Sequence, residues 1–269
     1  MGQGTWFMGE KVSEKQKEVA ALQWGIKEGM NLIDTAEMYG SGGAELVVGE
    51  AIKSQDRSKL YIVSKVYPQN AGEKNIFNAC EQTLQRLGTD YLDLYLLHWR
   101  GSIPLSETVA CMEELMKQGK IKGWGVSNFD TADMKELWQV QDGNKCLVNQ
   151  VLYHLGSRGI EYDLLPWLEK HQVATMAYCP LAQAGTLRKG LFNNKAVKAV
   201  AKKHGISPAQ VLLGFVLNKE SMIAIPKAVT IDHVKENAAM VSVQLDSDDI
   251  KLLNKHYPAP MKKTFLDIV

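Results

Sequence analysis

Asp34, Tyr39, Lys65, His98 and Asn128 are residue types that move protons or steady charge, and each stands at or just beyond a short apolar run. NLID ends in Asp34, LYIVSK in Lys65, LDLYLLH in His98 and KGWGVSN in Asn128, while Tyr39 follows Asp34 in NLIDTAEMYG. Taken singly, a charged residue ending a strand is a solvated boundary, His98 a structural histidine and Tyr39 a loop aromatic. Taken together they would face one common mouth if the runs are strands of a barrel. Asp34 with Glu37 or Glu45 also suggests a paired-carboxylate hydrolase. Such enzymes place two acids on opposite sides of a bond, and one short segment is poor geometry for that. Glu37 is read as a bystander.

The elements that must position these residues form a regular series. The apolar runs are GTW (4–6), NLID (31–34), LYIVSK (60–65), LDLYLLH (92–98), KGWGVSN (122–128), CLVNQV (146–151), VATMAYCP (173–180) and SMIAIPK (221–227). Their continuous apolar character is what strands buried on both faces require. Helical patterns lie between them. Ser13 with Gln16 reads as a capping box before VAALQWGI, and EKNIFNACEQTLQRLG (73–88) has apolar spacing near 3.6 and ends in Gly88, a C′ residue type. ETVACMEELMKQGK, DLLPWLEK, SPAQVLLGFVLNK and HVKENAAM behave similarly. The alternation predicts an α/β fold, a parallel (β/α)8 barrel in one domain over residues 1–269, with its site at the C-terminal strand ends. A doubly wound sheet is the rival, but GxGxxG, GxxxxGK[ST] and GxSxG are all missing.

Composition narrows the partners. Lys+Arg 31 against Asp+Glu 30 gives a formal net charge of +1, so no global field points to nucleic acid or an anionic membrane. Cys80, Cys111, Cys146 and Cys179 are far apart and form no CxxC, which reads as reduced thiols in a cytoplasmic protein. The 6 histidines form no HxxxH pair, and no metal site is expected. No apolar stretch reaches the roughly 18 residues of a membrane span, and no signal peptide pattern is visible.

The ordered motifs GTW (4–6), DTA with Tyr39, SK at Lys65, LHW at His98 and Trp99, GVSN at Ser127 and Asn128, NQ at Asn149 and Gln150, Y-x-PL at Tyr178, Pro180 and Leu181, and IPK with a later EN span the chain. In this set the sequence closely resembles the aldo-keto reductase superfamily, in a compact prokaryotic form. The resemblance implies that Asp34, Tyr39, Lys65 and His98 are a catalytic tetrad for carbonyl reduction. It also implies NADPH extended across the barrel mouth, with NADH as a second choice. Gly4, Thr5, Trp6 and Asp34 would border the cofactor. Ser127, Asn128 and Gln150 would hold its carboxamide, Tyr178 would stack on nicotinamide, and Pro180, Leu181 and Gln183 would cover the pyrophosphate. Lys227 would meet the 2′-phosphate, with His233, Glu236 and Asn237 near adenine. Trp6, Tyr39, His98 and Trp99 would face a small-molecule carbonyl substrate, with Trp124 either at the mouth or in the core. In this scheme Lys65 draws the Tyr39 phenol down from about 10 toward neutrality.

The sequence departs from the family pattern at several positions. Ala228 and His233 replace a hydroxyl and an arginine common after IPK, which weakens the case for a strict NADPH preference. The loop from Asp34 to Glu45 is longer around GSGGAE, and Cys179 replaces a serine, which makes a redox-sensitive thiol conceivable. The loop RGSIPLSET and the tail KKTFLDIV are short, which implies an open site for small aldehydes, ketoaldehydes such as methylglyoxal, or diketones. A monomer is expected. The competing reading within the family is a non-catalytic NADPH-binding regulatory subunit.

Overall fold

The computed structural model describes residues 1–183 and 186–269. Parallel strands β1 (Gln3–Gly4), β2 (Leu32–Asp34), β3 (Tyr61–Val66), β4 (Leu94–Leu97), β5 (Trp124–Ser127), β6 (Val148–Leu152), β7 (Ala174–Tyr178) and β8 (Met222–Ala224) pair in sequence order. The sheet closes on itself. Gly2 N–H donates to Ala224 O at 2.8 Å, Gly4 N–H donates to Pro226 O at 3.0 Å, and Gly4 bridges Lys227 in parallel. Closure removes the sheet edges, and the result is the (β/α)8 barrel that the apolar runs predict. The first run is shifted: the strand is Gln3–Gly4, and Trp6 lies beyond it in a turn.

Among the described residues the helices are α1 (Lys15–Lys27), α2 (Gly43–Ile52), α3 (Ile76–Leu87), α4 (Leu105–Lys117), α5 (Thr131–Gln139), α6 (Leu164–Lys170), α7 (Thr186–Asn193), α8 (Lys195–His204), α9 (Pro208–Leu217), α10 (Ile231–Ala238) and α11 (Ser247–His256). Helix α3 ends as its sequence predicts, with Gly88 left-handed at φ 64°. Helix α9 starts with Ser207 and Gln210 in a reciprocal capping box. The box expected from Ser13 and Gln16 does not form. Val12–Glu14 winds into a 3-10 turn, and Gln16 instead donates to Glu50 Oε1 at 2.8 Å.

Helix α2 begins inside the glycine stretch that the sequence reads as loop. The glycines serve close approach: a Cβ on Gly43 would stand 2.4 Å from the carbonyl oxygen of Gly9. Helix α2 then buries Glu45, which accepts hydrogen bonds from Ser64 at 2.6 Å and Arg86 at 2.5 Å.

Alternation along the strands decides which side chains reach the mouth. Val63, Leu94, Leu96, Val148, Met176 and Ile225 pack together as the barrel interior, with Leu32 and Ala174 against them. Two positions further along the same faces come Asp34, Lys65, His98, Gln150 and Tyr178. The outward set, including Ile62, Tyr95, Leu97, Trp124 and Val126, packs under the helices. Trp124 therefore belongs to the core, with its indole donating to Glu113 Oε1 at 2.8 Å.

The β1–β8 seam depends on Gly4, where a Cβ would stand 2.7 Å from Ile225 O. Gly4→Ala is expected to lower stability by about 1–3 kcal/mol through overpacking. Gly190→Ala, in open space on α7, is expected to be neutral or mildly stabilising. Paired thermal unfolding curves check the contrast, and equal midpoints would count against it.

Candidate active site

The strand ends surround a cavity of about 700 Å³. Its wall includes Gly4, Thr5, Trp6, Asp34, Tyr39, His98, Trp99, Ser127, Asn128, Gln150, Tyr178, Pro180, Leu181, Gln183 and Lys227. Lys65 lies just below, with no exposed surface. Its ammonium donates to Asp34 Oδ2 at 2.8 Å, to Thr35 O at 2.8 Å and to Tyr39 Oη at 3.0 Å. An ammonium has three protons to give, and here all of them are engaged.

This arrangement fixes two charge states. Asp34 accepts from Lys65 at one oxygen and from Gln150 Nε2 at 2.7 Å at the other, a pattern that suits a carboxylate. Burial raises its pKa, and Lys65 and Gln150 oppose that rise. Burial likewise lowers the Lys65 ammonium, and Asp34 opposes the fall. Burial pushes the Tyr39 phenol well above its ordinary value, and the nearby Asp34 charge adds to the rise. The expected depression by Lys65 is therefore outweighed. The Tyr39 oxygen already accepts from Lys65, so its own proton is free to point at the cavity.

His98 continues the inward series Leu94, Leu96 from β4. Burial, with the Lys65 charge second, pushes its pKa down to about 2, so the ring is neutral. Its Nδ1 is buried without a protein partner. Placing the proton on Nε2 avoids an orphaned donor, since a buried unpaired N–H is the costlier defect. The Tyr39 and His98 rings meet edge to face at 5.7 Å.

Ser127 donates to Gln150 O at 2.9 Å, and Asn128, in left-handed backbone at φ 59°, donates to His98 O at 3.2 Å. The Tyr178 hydroxyl donates to Asn128 Oδ1 at 2.9 Å, which fixes that ring over the mouth. Burial pushes the Cys179 thiol up to about 11, so the redox-sensitive thiolate is not supported.

Several expected positions fall elsewhere. His233 is exposed on the first turn of α10, Glu236 is half-buried, Asn237 is buried, and none of them lines the cavity. Neither Glu37 nor Glu45 lines it, so no second acid faces Asp34 there. The sequence reading missed Phe7, Met38, Arg100, Arg188, Ile268 and Val269, which do line it. Arg188 holds the Leu181 and Ala182 carbonyls at 3.2 and 2.6 Å. No periodicity marks these residues, because loop, tail and α7 positions reach the mouth only through the fold. Among the described residues half-buried His204, exposed Asp246 and buried Asp249 cluster, but Lys203 ties both carboxylates and Asp246 caps α11.

A sequence model of the Aldo/keto reductase family matches residues 1–258. The chain belongs to the aldo/keto reductase family. It is 61% identical to methylglyoxal reductase YeaE of Escherichia coli (strain K12), over 100% of this chain and 94% of that protein. It is 35% identical to glyoxal reductase of Bacillus subtilis (strain 168), over 91% of this chain and 86% of that one. The crystal structure of an aldo/keto reductase from Klebsiella pneumoniae in complex with NADP and acetate shares 55% identity. It covers 100% of this chain and 94% of its own, with a TM-score of 0.98.

His98 and His154, the latter pushed down to about 4 by burial, both bind protons less readily folded than unfolded. As pH falls below about 6.5 the unfolded chain protonates first, so stability is complete above that pH and declines below it. Between about pH 7.5 and 5, each histidine is expected to remove about 2 kcal/mol. Urea unfolding at the two pH values should show His98→Gln recovering about half of this loss. An undiminished loss in the variant would contradict the assignment.

Proposed function

We propose that this enzyme reduces small aldehydes and ketoaldehydes, methylglyoxal foremost, to alcohols with NADPH. The observation that carries the reading is the buried Asp34–Lys65–Tyr39 chain, whose last member presents a protonated phenol to the cavity beside neutral His98. Family membership, and relatives that are methylglyoxal and glyoxal reductases, support the same reaction.

The residues present fit the cofactor. The cavity wall includes the exposed cation of Lys227 and the amide and hydroxyl groups of Ser127, Asn128 and Gln150, and an NADP-bound relative has the same fold. Lys227, helped by Arg188, would hold phosphate. Leu181 and Gln183 would cover the pyrophosphate, Tyr178 would support the nicotinamide, and Ser127, Asn128 and Gln150 would border its carboxamide. Bound nicotinamide supplies a hydride. Lys227 and Arg188 favour the cofactor bearing the extra phosphate, and NADH would be the weaker donor.

His98 Nε2–H donates to the carbonyl oxygen and steadies the charge developing on it. Tyr39 gives its proton to that oxygen. The phenolate left behind faces Lys65 at 3.0 Å. At that distance unit charges attract by about 5 kcal/mol at an effective dielectric near 20, which offsets part of the burial cost. In oxidation the same phenolate would take the proton back. Trp6 and Trp99 line the substrate side and leave room for small carbonyls. We further propose a cytoplasmic monomer; the 4 cysteines are free, and, separately, no helix among the described residues is long and apolar enough to cross a membrane. A non-catalytic NADPH-binding subunit is the alternative that the intact proton path opposes.

The test is steady-state oxidation of NADPH and of NADH with methylglyoxal, other small aldehydes, and diketones, for the natural enzyme and Tyr39→Phe. Turnover with NADPH preferred is expected. Tyr39→Phe should lose on the order of 10²–10⁴-fold in kcat while binding NADPH normally. NADPH binding without turnover on any carbonyl would sink the reading in favour of the sensor.

A further inference from the structure

Glu37 is a buried carboxylate that neither the Asp34–Lys65 pair nor the cavity wall uses. Its surroundings show what it does. Its Oε1 accepts from Tyr67 N–H at 2.7 Å and from Asn70 Nδ2 at 3.1 Å. Its own N–H donates to Lys65 O at 3.3 Å. The segment that delivers Tyr39 is thereby fastened to the end of the strand that delivers Lys65, and to the loop beyond that strand.

The chain of contacts continues into the substrate side. The Tyr67 ring meets Trp99 edge to face at 5.8 Å, and Trp99 lies 4.8 Å from the His98 ring. Pro68 lies so close to the loop after β4 that a Cβ on Gly101 would stand 2.5 Å from its Cβ. The three segments touch without slack. A carboxylate accepting a backbone N–H is a strong, directional tie, and withdrawing it leaves a polar group unpaired.

We propose that Glu37 is the positioning residue that joins the Tyr39, Lys65 and Trp99 segments into one rigid mouth, and so sets how a carbonyl meets the phenol. This rests on the carbonyl reductase reading above. Glu37 lies outside the cavity wall; it acts through the backbone of Tyr67 and the Tyr67 ring set edge to face against Trp99. Gln could replace it, because an amide oxygen accepts the same two hydrogen bonds. Ala could not.

The experiment compares Glu37→Ala, Glu37→Gln and Tyr67→Leu with the natural enzyme in four readouts: carbonyl kcat and KM, NADPH affinity, and Tyr67 amide hydrogen exchange. Glu37→Ala should lose on the order of 10- to 100-fold in kcat/KM, as misplacement predicts. Its NADPH affinity should stay within about twofold, and its Tyr67 amide should exchange faster, as a freed N–H does. Glu37→Gln should recover kcat/KM to within about threefold, because the acceptor is kept. Tyr67→Leu leaves the carboxylate in place and should raise carbonyl KM with NADPH affinity unchanged, which tests the ring contact even where Glu37→Ala fails to fold. The inference is overturned by unchanged kcat/KM in Glu37→Ala, by loss of NADPH binding in step with turnover, by Glu37→Gln as impaired as Ala, or by unchanged KM in Tyr67→Leu. An inactive natural enzyme would defeat the functional reading instead, and the Tyr67 amide would still report whether Glu37 ties the loop.

Discussion

An ammonium with no exposed surface is the constraint around which this barrel is arranged. Taking a charge out of water costs several kcal/mol even after relaxation. Lys65 is tolerable only because Asp34, Thr35 and Tyr39 each accept one of its hydrogen bonds at 2.8–3.0 Å. Those acceptors come from β2 and the loop after it, so β2 and β3 must pair in one register, Asp34 beside Val63. A slip of one residue would turn Lys65 under the helices and Ser64 into the mouth. Gln150 completes the arrangement from the far side of the barrel, 116 positions away in sequence.

The chemistry inherits its direction from that buried charge. Burial by itself would keep Tyr39 and His98 neutral, and both are. A neutral phenol is an acid with a proton to give, and a neutral imidazole is a donor with no charge of its own to be neutralised. Lys65 contributes when the proton leaves, because only the phenolate state gains the full ion pair. The neutral phenol receives only a hydrogen bond from Lys65, whereas the phenolate gains a full ion pair with it, which is the differential binding that catalysis requires.

The strand ends were legible in the sequence because β-strand alternation carries the barrel interior straight into the site. Leu94, Leu96 and His98 share a face, as do Val63 and Lys65, and the apolar runs display this without any coordinates. The end of α3 at Gly88 was equally plain. What failed were features that depend on tertiary approach. The glycines before α2 signal a turn locally, but they exist to let Gly9 come close. Ser13 had the residue type for a cap, yet the chain entered α1 through a 3-10 turn. Glu37 looked idle beside Asp34 and Tyr39, because its partners, Tyr67 and Asn70, lie on another loop.

The central claim is that Lys65 acts through Tyr39, and a double-mutant cycle measures that coupling directly. Carbonyl kcat would be compared for the natural enzyme, Lys65→Met, Tyr39→Phe and the double variant, each normalised to NADPH-binding sites. Residues that act as a unit are grossly non-additive. The double variant should therefore be no slower than the slower single variant. Losses that multiply would show that the ammonium and the phenol act independently, and would contradict the account.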